Sequence, residues 1–325
     1  MKYSLTGKAC FEGFRVLGLL SLVAMIFMVQ PVLAQDDESL EELLQQVGEQ
    51  YATSYSSPFL YAFGPNQNSG MYQSASIPWK GLTFGFGIKV MATSLNKDDQ
   101  TFSSNIENVE LGDFDSNYAG ETGDIVMSGP TIFGDTETEG TITGYLNGIP
   151  VFEQNTIPGL IETEFVPLAT PEAYIGGIFG LKATFRYFPE MDLGDYGSTK
   201  YLGYGLQWSP NELLPTLPFD VMAGFFTQEL KVGSFLETNA ETFFIGASKD
   251  FSLLRVYGGV AKDSSDMTVS YEFEGTEGDD VTFSIDGRQE QHVTLGVALK
   301  FILGLNVEMN VGDLTTYSAG LMFGL

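Results

Sequence analysis

Strict alternation between apolar and small or polar side chains constrains the fold of this chain more than any other feature. In LTFGFGIKVMA (82–92) every second residue from Leu82 is apolar, and the residues between them are threonine, two glycines, Lys89 and Met91. We call each of these two alternating sets a parity. Successive side chains of an extended strand point to opposite faces, so this period of two predicts a β-strand. The same pattern predicts further strands at 174–188, 200–208, 219–232, 241–249, 253–261, 292–301, 305–311 and 317–325.

The composition of the second parity indicates what the apolar face contacts. A water-soluble sandwich hides its apolar faces and shows charged residues to water. A membrane barrel does the reverse, with an apolar belt outside. Here the second parity holds glycine, hydroxyl residues, asparagine and isolated bases, and aromatic residues such as Tyr187 and Trp208 fall near strand ends. We therefore predict an all-β fold, an antiparallel transmembrane β-barrel of about 10–14 strands in the outer membrane; a β-sandwich is the alternative.

The N-terminus has the pattern of an export signal. Lys2, Lys8 and Arg15 precede an apolar run at 16–29, and Val-Leu-Ala follows at 32–34. This predicts a cleaved signal peptide over 1–34 and localisation to the cell outer membrane; a retained anchor helix is the alternative. The only cysteine, Cys10, lies in this segment, so the processed chain is predicted to lack disulfides and thiolate sites.

The predicted domains after the signal are an N-terminal segment over 35–80 and a barrel over 81–325. Leucines at helical spacing, with Ser39 and Glu42 as a capping box, predict a short helix at 39–51. Residues 57–80 are rich in Pro, Gly, Asn and Ser, which predicts irregular chain. The helix either plugs the barrel or lies outside it as an amphipathic cap.

Charge excludes one class of partner. The net charge is −27, and because residues 1–34 contribute +2 (three bases, one acid), the processed chain carries −29. Residues 97–141 hold eleven acids and one base, and 263–290 form a second acidic stretch. Nucleic acid is excluded because phosphate binding needs positive charge. The predicted partners are outer-membrane lipid, the barrel assembly machinery and a small-molecule solute.

Several ionisable side chains are predicted to line the lumen because they lie on the inward parity. They are Lys89, Lys182, Arg186, Arg255, His292, Lys300 and Glu308. A ring of bases can bind an anionic solute or a fatty carboxylate. The alternative is that the bases pair with inward acids such as Glu308 and fill the interior.

Two further features are candidate sites. Asp113, Asp115 and Asn117 alternate, and Asp124 is twelfth in the run, as in a calcium loop. Tyr118 occupies the sixth position, where such loops carry glycine, so a solvated acidic loop is the alternative. His292 is the sole histidine, which disfavours zinc. No motif of a known catalytic type is found, so the chain is predicted not to be an enzyme, with calcium as the only candidate cofactor.

Three segments carry a resemblance to a known group of proteins. YATSYSSP, LPTLPFDVMAG and DFSLLRVYGGVAKDSSDMTVSY resemble a family of uncharacterised exported barrel proteins of Gram-negative bacteria. The layout of signal, short helix, irregular stretch and barrel also looks like the long-chain fatty acid outer-membrane transporter family. That family has an Asn-Pro-Ala-type element after its N-terminal segment, where this chain has AFGPNQNSGMYQSA (62–75).

The function predicted from these features is passive transport of a small or amphipathic solute through a gated or plugged lumen. The alternative is a structural or interaction barrel with acidic surface loops and no conductance. A continuous lumen favours transport, whereas a filled interior favours the structural role.

Overall fold

The computed structural model describes residues 47–192, 198–271, 281–300 and 303–324, and the predicted signal peptide lies outside them. Ten antiparallel strands close into a barrel, so the predicted fold class is confirmed and the sandwich alternative is wrong. The helix is α1 (Glu49–Gln67), and the strands are β1 (Thr83–Ser94), β2 (Thr101–Glu110), β3 (Thr122–Pro130), β4 (Glu139–Leu146), β5 (Ile149–Pro158), β6 (Phe165–Ile178), β7 (Leu181–Asp192), β8 (Ser198–Trp208), β9 (Asp220–Val232), β10 (Leu236–Phe251), β11 (Leu254–Tyr271), β12 (Val281–Asp286), β13 (Gln291–Leu299), β14 (Leu303–Val311) and β15 (Thr315–Gly324).

Neighbouring strands around the barrel are mostly neighbours in sequence. The ring runs β1, β6 to β11, β13, β14 and β15, and it closes where β15 pairs with β1. We call the end where β1 starts and β15 finishes the lower end, and the opposite end the upper end. Among the described strands, the hairpin strand β12 pairs with the upper part of β11 and with no other.

Outward side chains form the predicted apolar belt. On β10 Ile245 and Phe243 are more than half exposed, and the next outward residue, Glu241, is charged. On β11 Val260 gives way to Lys262, which pairs with Phe243, so the belt ends at the same height on both strands. Strands β8, β13, β14 and β15 have 11, 9, 9 and 10 residues, the length that a tilted strand needs to span the hydrocarbon layer.

The predicted single strand at 174–188 is wrong, because the chain turns back within it. Strand β6 ends at Ile178 and β7 begins at Leu181, with Phe179 and Gly180 both at positive φ (53° and 72°). A two-residue turn with both φ positive matches the twist of a hairpin. Phenylalanine is rare at such a position, and its apolar side chain continues the alternation, which hid the turn.

The acidic stretch after β1 is a folded sheet. Strands β2 to β5 form a separate four-stranded antiparallel sheet, which we call the inserted sheet; it joins β1 to β6 at the upper end. Val109, Leu111, Ile125 and Met127 form its small core together with Val47, just before α1. The acidic side chains lie at exposed positions, so their charge is solvated and is compatible with a folded sheet.

The described helix begins within the predicted one and extends beyond it, so the prediction of irregular chain is wrong over 57–67. It covers Glu49–Gln67, including most of the stretch expected to be irregular, while 39–46 lie outside the described residues. Pro58 removes one helix donor, but Ser57 Oγ donates to the Ser54 carbonyl at 3.4 Å, which satisfies the freed acceptor. Burial of α1 in the barrel therefore outweighs its two prolines. No described helix is both long and apolar enough to cross a membrane.

Candidate functional site

The candidate site is the barrel lumen, which is occupied by the chain's own N-terminal segment. Helix α1 lies in the upper lumen, and residues 68–80, which we call the threaded segment, continue to the lower end. Asn66 Nδ2 donates to the Val166 carbonyl (2.7 Å) near the upper end. At the lower end Trp79 Nε1 donates to the Ser209 carbonyl (2.9 Å). The segment thus passes through the whole barrel before β1 begins.

The upper lumen is apolar. Phe59, Leu60, Ala62 and Phe63 of α1 are at most 5% exposed and pack against the wall, and the rings of Phe59 and Phe63 stack at 5.0 Å between centroids. The wall residues of this cluster include Met91, Leu95, Val166, Leu168, Tyr201, Leu230, Val232, Met267, Val269, Phe283, Ile285 and Leu314. The upper lumen holds α1 by hydrophobic burial.

Helix α1 also connects the barrel to the inserted sheet. Tyr51 packs edge-on against Phe102 with 5.5 Å between ring centroids. The Tyr55 hydroxyl donates to the Pro158 carbonyl (3.2 Å), and burial raises the pKa of that hydroxyl above its ordinary value. A displacement of α1 therefore disturbs both the lumen and the inserted sheet.

Arg186 is the centre of the polar lower lumen. Its side chain is fully buried, and Nε donates to Glu172 Oε2 at 3.0 Å. Its other nitrogens donate to the carbonyls of Gln67 (3.3 Å) and Ser69 (2.9 Å) and to Gln228 Oε1 (3.2 Å). A guanidinium presents several donors in fixed geometry, so this one residue ties the wall to the end of α1 and the threaded segment.

Glu308 holds the threaded segment from the opposite wall. Its carboxylate accepts from the Gly70 amide (2.7 Å), the Tyr257 hydroxyl (3.1 Å) and Asn310 Nδ2 (3.1 Å). Lys89 is fully buried next to it and donates to Asn306 Oδ1 at 2.9 Å. Lower down, the Ala75 amide donates to Ser248 Oγ at 3.0 Å. Contacts from several strands therefore fix the segment along its path.

The remaining predicted lumen residues also lie on the inner face. His292 Nδ1 lies 2.6 Å from Asp263 Oδ2, and both side chains are buried. Near the lower end Arg255 and Lys300 share Asp250, at 2.5 and 2.8 Å. Most predicted lumen residues are therefore engaged in pairs and hydrogen bonds inside the barrel.

Lys182 differs from the other predicted bases. Within the described chain it has neither an ion pair nor a hydrogen bond, although it is only 8% exposed. Its ammonium faces the Tyr174 ring, with Nζ 5.4 Å from the centroid.

Sequence reasoning missed the acids that face these bases. Glu172 lies two residues before the predicted start of a strand at 174, and Asp263 lies two residues after the predicted end of another at 261. Both share the inward parity of the strand that they extend, so a longer strand assignment finds them. Asn66 and Gln228, which bind across the lumen, have no comparable pattern.

The structure places the calcium candidates on the inserted sheet. Asp115 Oδ1 accepts from the backbone and side-chain nitrogens of Asn117 (3.0 and 2.7 Å), and Asp124 Oδ1 accepts from the Asn108 amide (3.4 Å). The side chain of Asp113 lies outside the described part. Among the described residues no group of three or more His, Cys, Asp or Glu has the arrangement of a metal site.

The apolar belt, the closed antiparallel ring and the lumen occupied by the N-terminal segment define a transmembrane β-barrel with an internal plug. Over residues 14–325 the chain matches the model of a family of unknown function (DUF6588), and it belongs to that family. No curated protein has a significant sequence match to it.

Solved outer-membrane barrels are only distantly similar. OmpT, an outer membrane protein of Vibrio cholerae, is 11% identical, with 75% of this chain and 99% of that chain covered and a TM-score of 0.25. An anion-selective porin from Comamonas acidovorans is 13% identical, with 75% and 99% covered and a TM-score of 0.20. At this level of similarity nothing about their activities transfers to this chain.

Proposed function

We propose that the protein is an outer-membrane barrel for passive transport of a small or amphipathic solute, closed by its N-terminal segment and opened when that segment moves. One observation carries the proposal. The lumen is occupied by a segment that belongs to no barrel strand, so it can leave without breaking strand pairing. In the lower lumen the wall that it covers is polar, with residues such as Thr170, Gln207 and Asn306. A wall of this kind suits a water-filled path.

The two ends of the barrel support an orientation. Barrels of this class have short periplasmic turns and longer extracellular connections. The lower end has two-residue turns at 179–180 and 252–253, whereas the upper end carries the connection 95–164 with the inserted sheet. In the proposal the inserted sheet therefore lies outside the cell. Export through residues 1–34, contact of the belt with lipid, and recognition of β15 by the assembly machinery belong to the same proposal.

A reversible tether tests whether movement of the segment opens the barrel. A Cβ built on Gly64 lies 2.9 Å from Ser265 Cβ, so α1 must move away from β11 by about 0.6 Å or more to reach the spacing of about 3.5–4.5 Å in disulfides. The variant Gly64→Cys with Ser265→Cys should link α1 to β11. Its matched control pairs Gly64→Cys with Ser264→Cys, because the Ser264 side chain is exposed on the outer face.

We expect liposomes with the oxidised tether to be impermeable to small sugars and amino acids in a swelling assay. Reduction of the tether in mild urea, which loosens α1, should produce swelling, whereas the same urea should leave the oxidised protein closed. Swelling at equal rates in the oxidised and reduced states contradicts gating by this segment. Absence of swelling in every state contradicts transport.

The second candidate is an interaction barrel without conductance, and the inserted sheet favours it. The sheet exposes acids such as Glu107, Glu121 and Glu153, and α1 ties it to the lumen. Such a surface attracts basic proteins or cations. A protein that never conducts but retains basic ligands, and loses them when these acids become glutamines, supports this candidate. Neither candidate assigns an enzymatic reaction.

A further inference from the structure

The unpaired Lys182 points to a binding subsite in the lower lumen. It is the second residue of β7, next to the lower turn, and its ammonium is more than nine-tenths buried without an acidic partner in the described chain. An ammonium removed from water without compensation is strongly unfavourable. The contact with the Tyr174 ring offsets only part of this. The site therefore favours a negatively charged group from outside the chain.

Nearby carboxylates of the described chain accept hydrogen bonds from other donors and none from Lys182. Glu172 accepts from Gln73 Nε2 through Oε1 and from Arg186 Nε through Oε2, both at 3.0 Å. Asp250 accepts from Arg255 and Lys300. When it is protonated, Lys182 therefore has three N–H donors without an acceptor among the described residues.

Two neighbouring side chains have unused polar atoms. Gln207 lies directly opposite Lys182 on β8, and such cross-strand Cβ atoms are about 4.5–5.5 Å apart. Its Nε2 donates to the Met71 carbonyl (3.2 Å), which fixes the amide orientation, and its Oε1 is buried without a partner among the described residues. Thr184, two residues along the same face of β7, has a buried hydroxyl without a partner. Gly176, opposite Lys182 on β6, adds no side chain.

We propose that Lys182, Thr184 and Gln207 bind a small protonated oxyanion of the phosphate type, which enters from the lower end. The ammonium and the hydroxyl donate to anionic oxygens, and Gln207 Oε1 accepts from a P–OH group. A carboxylate satisfies the first two but has no proton for Gln207 at neutral pH. The site therefore prefers hydrogen phosphate to acetate.

Equilibrium dialysis and thermal unfolding of the full-length protein in detergent, with inorganic phosphate or acetate at equal ionic strength, test this. We expect phosphate to bind and to raise the melting temperature, and acetate to do so more weakly. Lys182→Met should weaken phosphate binding by about tenfold or more. Without phosphate the same variant should melt higher than the wild type, because the unpaired charge is gone. Thr184→Val should weaken binding by a smaller factor.

The matched control is Lys200→Met, which removes an exposed lysine near the upper end of β8 and should leave phosphate binding unchanged. Absence of phosphate binding by the wild type, or equal binding by Lys182→Met, overturns the proposal. Equal binding of acetate overturns the role of Gln207. These measurements need no conductance, so they are independent of the transport proposal.

Discussion

The upper half of the lumen holds the N-terminal segment by hydrophobic burial, whereas the lower half holds it by hydrogen bonds. In the upper half Phe59, Leu60 and Phe63 are buried against an apolar wall. In the lower half the threaded segment is bound through hydrogen bonds to fixed side chains, above all Arg186 and Glu308. Hydrophobic burial tolerates changes of shape, whereas a buried polar network fails when one member is lost. The lower half should therefore determine where the N-terminal segment lies in the barrel, and the upper half how tightly the barrel holds it.

The largest expected effect is in the lower half. Arg186→Met leaves Glu172 buried without its guanidinium and removes two bonds to the N-terminal segment, so the free energy of unfolding should fall by about 3–5 kcal/mol. Guanidinium titration in detergent measures it. Adding Glu172→Gln should recover part of the loss. The control is Arg255→Met, at a partly exposed pair near the lower end, which should lose less. Equal losses at the two arginines contradict the central role of Arg186.

The next effect is in the upper half. Phe63 is 1% exposed, so Phe63→Ala should lower the free energy of unfolding by about 3 kcal/mol through the cavity that it leaves. Phe63→Leu keeps most of the volume and should lose less than about 1.5 kcal/mol. Under the same titration Arg186→Lys should lose more than Phe63→Leu, because lysine cannot reproduce the forked contacts. The reverse order contradicts the contrast between the two halves.

A smaller effect is expected where the threaded segment passes Arg186. Gly70 has φ +76°, and a Cβ there lies 3.0 Å from Arg186 Nη2. Gly70→Ala should therefore lower the free energy of unfolding by about 1–2 kcal/mol from backbone strain, and by more if Arg186 is displaced. Gly81→Ala is the control, since φ is +102° but no atom lies within 4 Å of its Cβ. If Gly81→Ala is the more damaging, contact with Arg186 is not important.

The smallest effect is in α1. Ser57→Ala removes the hydroxyl that donates to the Ser54 carbonyl beside Pro58, and should lower the free energy of unfolding by about 0.5–1 kcal/mol. In the double variant Ser57→Ala with Pro58→Ala the serine hydroxyl is no longer needed, because the backbone amide at position 58 can donate to the Ser54 carbonyl. The two changes should therefore be non-additive in the same titration. Additive losses contradict this account of how α1 accommodates Pro58.

The sequence predicts the barrel wall well because strand periodicity is local. Alternation identified β1, β8, β9 and the last three strands to within about two residues at each end. The composition of the two faces indicated which face points to lipid and which to the lumen. It failed at Phe179, where the turn keeps the alternation, and in the inserted sheet, where polar residues occupy much of both faces.

The plug was harder to predict because its structure depends on distant residues. Pro58, Pro65 and Gly64 argue locally against a helix, and only burial in the lumen stabilises α1. The inward bases were found by parity. The acids Glu172 and Asp263 need only longer strand assignments, whereas Gln67 could not be matched to Arg186, because only barrel closure brings their segments together.

Accessibility of single cysteines tests most directly whether the segment lies in the lumen. Ala75 is fully buried beside Ser248, whereas its neighbour Ser76 is exposed. In a chain with Cys10→Ser, Ala75→Cys should react with a water-soluble maleimide at least about tenfold more slowly than Ser76→Cys, and both should react alike after unfolding. Equal rates in the folded protein contradict a plugged lumen.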